Sequence, residues 1–264
     1  MAFTVHAVMP GVWHIVDCMG VCMTLLEGEN AAMLVDTGYG IEDVADFMRH
    51  MTDLPLTVFL THNHHDHAMG ARCFPETYML EADMADWRMF TNDEMRRRVL
   101  TQAIGKNLPV DEKTFLAGEI PLPKVMKPGV IDLGGLTAEI IEAPGHTPGS
   151  AVVYVPERKL LLSGDDWNPC TWLFFPQALG LREYRSNMRG IQQLLNHPSH
   201  QGGRQHGGLG HRADHRVDLR AGKLRLHGHI RHAGAGRQDK LPQQRIAAVI
   251  AFFFQFCPQH RGRL

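Results

Sequence analysis

The chain has few cysteines, and their spacing excludes a disulfide framework. Its five cysteines lie at positions 18, 22, 73, 170 and 257 and form no Cys-x-x-Cys pair. The segment Met1–Trp13 lacks both a basic stretch and an apolar stretch, which argues against a signal peptide and favours the cytoplasm. The longest apolar run, Ile246–Phe254, is too short to span a bilayer. We therefore expect a soluble, cytoplasmic protein with no membrane partner.

The overall composition is that of a globular protein. With 264 residues, 44% of them apolar and 21% charged, the chain can form one large domain or two small ones. Its mean hydropathy of −0.20 excludes a wholly disordered or collagen-like chain. The 28 acidic and 27 basic residues nearly cancel, so the total charge does not indicate a nucleic-acid partner.

The composition changes abruptly near residue 200. Residues 1–200 carry 15 basic and 25 acidic side chains, whereas residues 201–264 carry 12 basic and 3 acidic ones. The second segment contains no Glu, Met, Ser, Thr, Trp or Tyr, but it has 10 Gly, 10 Arg and 7 His. We therefore predict a folded domain over residues 1–200 and a basic Gly/Arg/His-rich tail over residues 201–264.

Three explanations of this tail are open. A segment with this positive charge could bind nucleic acid, and a His-rich tract could bind metal. Alternatively, the reading frame shifts near residues 197–201, so that the tail is not the evolved C-terminus and the end of the fold is incomplete. We favour the frame shift, because the joint loss of Glu, Ser, Thr and Met fits out-of-frame translation of GC-rich DNA. On that hypothesis nucleic acid is not a partner.

The hydrophobic pattern predicts a layered α/β fold. Short β-branched runs separated by turn residues predict two groups of strands, and 3.6-residue spacing predicts helices between and after them. Two such groups with helices outside indicate a sandwich built from two similar halves. The predicted strands are 3–8, 12–17, 21–27, 31–36, 56–60, 136–142, 151–155 and 159–163; the predicted helices are 41–51, 81–104 and 181–196; and residues 105–130 are a connection.

The chemistry of the chain is concentrated in His62-Asn63-His64-His65-Asp66-His67, directly after a predicted buried strand. Clustered imidazoles repel one another when protonated and are costly to bury when unpaired. A divalent cation removes both problems, and Zn²⁺, Mn²⁺ and Fe²⁺ accept imidazole and carboxylate ligands. We expect a turn here, because a turn lets the side chains at positions 62, 64, 66 and 67 converge on one point.

Two later segments supply matching groups. His146 lies in a turn shaped by the prolines and glycines of the segment 144–149, between two predicted strands. Asp165 follows the predicted strand 159–163 and Gly164, and a carboxylate at a strand end can bridge two metals. We expect its neighbour Asp166 to support the ligands rather than to bind metal.

The segments 62–67, 145–150 and 164–165, preceded by 35–38, resemble the successive motifs of the metallo-β-lactamase superfamily, in order, over about residues 3–200. The resemblance implies a four-layer αβ/βα sandwich with metals at one edge of two packed sheets. It implies a first metal site of His62, His64 and His146. It also implies a second site of Asp66 and His67, with Asp165 bridging the two.

The same resemblance implies a function. Two Zn²⁺ ions per chain, with iron or manganese as alternatives, would hold a hydroxide that attacks an ester, thioester, lactone or lactam. Asp66 would orient that hydroxide as well as bind metal. The last ligand is expected at His200, with His206 and His211 as alternatives. Because Asp66 and His67 take the place of the cysteine used by the best-known β-lactamases, hydrolysis of antibiotics is disfavoured.

Other functions on the same scaffold stay open. One is a mononuclear iron oxidoreductase resembling the persulfide dioxygenases, and another is an inactive binding protein. We expect a small-molecule substrate, whereas the oligomeric state is not indicated. The aromatic side chains after the bridging carboxylate are expected to line an apolar substrate pocket, and they are Trp167, Trp172, Phe174 and Phe175.

Overall fold

A computed structural model describes residues 3–167 and 171–196 in full, and the backbone of 216–217, 226–227 and 248–251. Most of the strands form two sheets. In the described residues, no helix is long and apolar enough to cross a membrane. The predicted boundary between residues 200 and 201 stays a prediction, since only three short strands are described beyond it.

The first sheet has seven strands in chain order. Its first four strands form an antiparallel meander, and the next three pair in parallel. The two central strands β3 and β4 are buried almost throughout, as expected for strands covered on both faces. The strands are β1 (Thr4–Met9), β2 (Val12–Val16), β3 (Cys22–Glu27), β4 (Ala32–Val35), β5 (Leu56–Phe59), β6 (Tyr78–Met79) and β7 (Lys124–Val125).

The second sheet has five strands in the order β14-β11-β10-β9-β8. The four strands from β8 to β11 are antiparallel neighbours, whereas β14 pairs with β11 in parallel. A separate antiparallel pair, β12 with β13, completes the described strands. These strands are β8 (Gly129–Asp132), β9 (Thr137–Glu142), β10 (Ala151–Val155), β11 (Leu160–Gly164), β12 (Arg216–Val217), β13 (Leu226–His227) and β14 (Ala248–Ala251).

The described residues form six α-helices between or after these strands. They are α1 (Val44–Met51), α2 (His65–Ala68), α3 (Trp87–Thr91), α4 (Asp93–Gly105), α5 (Glu112–Phe115) and α6 (Leu181–Leu195). Short 3-10 helices cover Met69–Cys73, Glu81–Asp83 and Pro156–Arg158.

Four layers result from the way the apolar faces pair. Between the sheets, residues such as Phe59 of the first sheet and Leu162 of the second share one buried cluster. The apolar face of α1, including Phe47, packs on the opposite face of the first sheet. Helix α6 places Met188 and Ile191 on the outer face of the second sheet. This arrangement confirms the predicted four-layer αβ/βα sandwich.

Two predicted elements differ from the structure. The single helix predicted over residues 81–104 is divided into a 3-10 helix, α3 and α4, because Asn92 caps α4 by accepting a hydrogen bond from Met95 N–H at 2.9 Å. The predicted connection over residues 105–130 contains α5 and β7 and the start of β8. Strands of two residues, such as β7, are too short to show periodicity.

Candidate metal centre

The predicted ligand segment follows β5 and then forms one helical turn. The chain bends at Thr61 and His62 and is extended at His64, whereas Asp66 and His67 lie on α2. The prediction of a turn throughout is therefore wrong for the second half of the segment. The helical turn still places the side chain of His67 beside those of His62 and Asp165, and an Asp66 oxygen lies close to His67.

Three imidazoles form a first donor set. One ring nitrogen from each of His62, His64 and His146 lies within 4.8 Å of the other two, and all three residues are buried. His64 Nδ1 and His146 Nε2 are 2.8 Å apart. His62 and His64 come from the end of the first sheet, and His146 comes from the loop before β10 of the second sheet, so the set spans both sheets.

A second donor set lies beside the first. His62, His67 and Asp165 each offer one atom within 4.8 Å of the others. An Asp66 oxygen is 3.3 Å from His67 Nε2. The two oxygens of Asp165 lie 3.5 Å from His67 Nε2 and 3.5 Å from His146 Nε2. The structure thus brings together six of the seven predicted ligands, whereas His200 and its alternatives lie outside the described residues.

A buried carboxylate sets the tautomers of two of these histidines. Asp36 accepts hydrogen bonds from His67 Nδ1 at 2.8 Å and from the Thr61 hydroxyl at 2.9 Å. That hydroxyl, having donated its proton, accepts from His62 Nδ1 at 3.0 Å. Nδ1 of each imidazole therefore carries a proton, which leaves Nε2 of His62 and of His67 as the nitrogen directed into the site.

The other two histidines are oriented by the second half of the chain. His146 Nδ1 donates to the carbonyl oxygen of Trp172 at 2.6 Å. Its backbone N–H donates to the carboxylate of Asp166 at 2.8 Å, as expected for a residue that supports the ligands. The side-chain amide of Gln177 lies 3.4 Å from His64 Nε2, which leaves His64 Nδ1 facing the first donor set.

The donor chemistry fits a cation. His62 Nε2 is buried and has no hydrogen-bond partner among the described residues. Burial, together with the neighbouring histidines, lowers the pKa of His62 well below its usual value and that of His64 to about 3. Neutral imidazoles with lone pairs directed into one buried space are the state that a divalent cation requires.

The charges around the second donor set also favour a bound cation. Burial opposes the charged form of His67, but the carboxylates of Asp66, Asp36 and Asp165 raise its pKa well above the usual value. Burial likewise opposes ionised Asp66, yet the adjacent histidines hold the pKa of this carboxyl below its usual range. Several carboxylates therefore share one buried space. Without a cation they favour a proton on His67 Nε2, and a cation bound there would replace that proton and offset their charge.

Aromatic side chains border the first donor set. The rings of Phe90 and Phe175 lie 4.4 Å and 4.9 Å from the imidazole of His64, measured between centroids. Trp172 and Phe174, on the same loop as Phe175, are 38% and 68% exposed. Trp167 does not belong with them, because it packs against the core cluster beneath α6. The expectation that Trp167 lines the pocket is therefore wrong.

Several residues that hold the site were missed or given no role at the sequence level. Asp36 was part of the segment that carried the resemblance, and that motif was the available signal. Thr61, Asp83 and Gln177 carried no signal, because each is a common residue whose partner is distant in the chain.

Comparisons with known proteins agree with this geometry. A family model described as the metallo-beta-lactamase superfamily matches residues 16–165. An acyl-coenzyme A thioesterase from Gallus gallus, MBLAC2, is 26% identical in an alignment of 166 positions that covers 56% of this chain and 59% of the relative. The chain thus spans less than two thirds of that relative's length.

Solved structures share the fold at low identity. A metallo-beta-lactamase from Pontibacter korlensis has a TM-score of 0.50 and 18% identity, over 73% of this chain and 86% of that one. The DIM-1 metallo-beta-lactamase has a TM-score of 0.50 and 12% identity, over 74% of this chain and 85% of its own. At these identities the likeness concerns the fold alone.

Proposed function

The chain belongs to the metallo-beta-lactamase superfamily, and on that premise we propose that it is a metal-dependent hydrolase of acyl thioesters or related esters, lactones or lactams. The observation that carries this proposal is the convergence of buried nitrogen and oxygen donors from both sheets. Thioesters stand first because the relative from Gallus gallus is named as an acyl-coenzyme A thioesterase.

Each donor set has its own role in this proposal. His62, His64 and His146 would hold a first Zn²⁺, and Asp66 and His67 a second, with Asp165 between them. Bound cations supply Lewis acidity, which lowers the pKa of water toward about 7 and polarises a carbonyl oxygen.

The chain's own groups would prepare the reaction. Asp66 is the residue that we assign to orient the attacking water, because its carboxylate is buried and interacts electrostatically with both His64 and His67. Asp36 keeps the proton of His67 on Nδ1, so that Nε2 stays available as a donor. The carbonyl of Trp172 does the same for His146.

We assign the aromatic loop, which carries Trp172, Phe174 and Phe175, as the apolar wall of the pocket for the acyl group of the substrate. Phe175 lies against both His64 and His146, with ring centroids 4.9 Å and 5.9 Å apart. Phe174 continues this surface outward, 4.8 Å from Phe175 between ring centroids. An apolar chain extending from a carbonyl at the donor sets would cover this surface and remove it from water.

Metal content and hydrolysis test the proposal together. Purified protein is analysed for zinc, iron and manganese, and then assayed on acyl-coenzyme A esters, S-lactoylglutathione, p-nitrophenyl esters, a homoserine lactone and nitrocefin. We expect two zinc ions per chain and thioester hydrolysis that a chelator abolishes and added zinc restores. Activity that persists in chelator would contradict the proposal, and one iron per chain without hydrolysis would favour the oxidoreductase.

Variants separate the site from the rest of the surface. His62→Ala removes a nitrogen shared by both donor sets and should abolish hydrolysis and lower the zinc content. His50→Ala, at an exposed histidine of α1, is the matched control and should leave both unchanged.

The aromatic wall has its own test. Phe174→Ser should raise KM more for long acyl chains than for short ones, with kcat little changed, because it removes apolar contact area. Leu122→Ser, at a residue that is 58% exposed outside this loop, is the control. Equal KM values for all chain lengths in both variants would remove the wall from the proposal.

A further inference from the structure

Asp83 is a buried carboxylate that belongs to neither donor set. It ends the 3-10 helix Glu81–Asp83 and is 1% exposed. Burial of a carboxylate is costly unless hydrogen bonds compensate it, so the position of its partners shows what the group does.

One set of partners belongs to the first histidine loop. Asp83 Oδ2 accepts a hydrogen bond from the backbone N–H of Asn63 at 3.1 Å. The Asn63 side-chain amide in turn donates to the backbone carbonyl of Asp83 at 3.0 Å. Asn63 stands between His62 and His64, so these two bonds fix the backbone that carries both imidazoles.

The other partners belong to the second histidine loop. The Thr147 hydroxyl donates to Asp83 Oδ2 at 2.7 Å, and the backbone N–H of Gly149 donates to Oδ1 at 2.5 Å. Thr147 directly follows His146. Gly149 allows the approach, because a Cβ at this position would lie 2.5 Å from Asp83 N and 2.7 Å from its Cγ.

We propose that Asp83 is a positioning residue that sets the distance between the His62–His64 loop and the His146 loop, and thereby the geometry and cation affinity of the first donor set. Its two oxygens hold donors from residues 20, 64 and 66 positions away in the chain. The inference rests on the metal site proposed above.

The test measures Co²⁺ binding to metal-free protein, with the visible spectrum of bound Co²⁺ as the readout of ligand geometry. Asp83→Asn places an amide N–H₂ against a donor and should weaken the cation held by His62, His64 and His146 by about 10–100-fold, as changes in the partners of metal ligands do. We expect the spectrum to change as well, which a loss of overall stability alone would not cause.

Two controls make the result specific. Asp17→Asn alters another buried carboxylate, which accepts hydrogen bonds from the backbone N–H groups of Met19, Val21 and Tyr39, and should leave the spectrum unchanged. Thr147→Val removes one donor to Asp83 and should weaken binding, whereas Thr147→Ser keeps the hydroxyl and should restore it. The Thr147 pair also decides the matter if Asp83→Asn does not fold.

The outcomes separate this inference from the proposed function. Wild-type protein that binds no Co²⁺ would overturn the metal site and the role of Asp83 with it. If the wild type binds Co²⁺, and Asp83→Asn or both Thr147 variants bind it with the same affinity and spectrum as the wild type, the positioning role alone is overturned.

Discussion

Replacing Asp36 by Asn should weaken cation binding at the second donor set. Asp36 Oδ1 accepts from the backbone N–H of Thr61 at 2.7 Å, and Oδ2 accepts from the Thr61 hydroxyl and His67 Nδ1. An Asn can keep only one of these oxygens. Its amide nitrogen will take the place of Oδ2, because the backbone N–H at Oδ1 cannot become an acceptor, whereas the hydroxyl and the imidazole can.

In that orientation His67 must present a lone pair at Nδ1, so its proton moves to Nε2. The proton would then point at Asp66 and Asp165, where the second cation would bind. Such changes in the partners of ligands cost about 10–100-fold in metal affinity. That factor corresponds to roughly 1.4–2.8 kcal/mol in binding free energy.

A zinc titration of metal-free protein against a chromophoric chelator measures the two sites separately. We expect weaker binding of the second cation in Asp36→Asn, with the first affected less, since His62 contacts Asp36 only through Thr61. Asp53→Asn makes the same chemical change at an exposed position and is the control. If a folded Asp36→Asn protein binds both zinc ions with the affinities of the wild type, the reasoning about the His67 tautomer is refuted.

Three other predictions follow from particular positions. Gly70→Ala places a Cβ 2.1 Å from the Thr37 carbonyl oxygen and should lower the free energy of unfolding by about 1–3 kcal/mol in urea titrations. Gly190→Ala in α6, which has open space around it, is the control and should raise the free energy of unfolding by about 0.5–1 kcal/mol. Equal effects of the two substitutions would contradict the packing argument. Burial raises the pKa of Asp17 from 3.8 to about 6 although backbone N–H groups oppose the shift, so the unfolded chain ionises first and stability falls as pH rises between these values. Urea titrations from pH 4 to 7 should show that Asp17→Asn flattens this slope, by up to about 3 kcal/mol across the window, and an unchanged slope would exclude Asp17 as its source. Translation of the gene in the other two frames after residue 197 should recover a strand, a ligand histidine and an acidic helix, and the frame-shift hypothesis fails if neither frame does.

The parts of the molecule that could be predicted from sequence are those whose signal is local. The segment from His62 to His67 contains four of the predicted metal ligands within six positions, so its chemistry could be predicted. Strand β10 matches its predicted bounds because its apolar run is continuous. The fold class followed from the order of such runs and from the resemblance they supported.

The remaining parts depend on contacts between distant residues. Asp83 lies in a stretch whose composition is helical, and its function depends on Thr147, 64 positions later. The carbonyl of Trp172 orients His146 through a backbone atom, which side-chain identity does not reveal. The helical turn at α2 was missed because four residues are too few for a periodic pattern.

The geometry of the donor sets depends on the apolar layer between the two sheets, whose residues are not themselves ligands. Donors from both sheets must keep a fixed spacing, and that spacing is inherited from how side chains such as Phe59 and Leu162 interlock. A methyl group gained or lost in this layer is expected to change the spacing of the two sheets, and with it the spacing of the donors, without touching a ligand. Evolution, or a directed-evolution experiment, could therefore tune the proposed metal site through residues in the protein's interior.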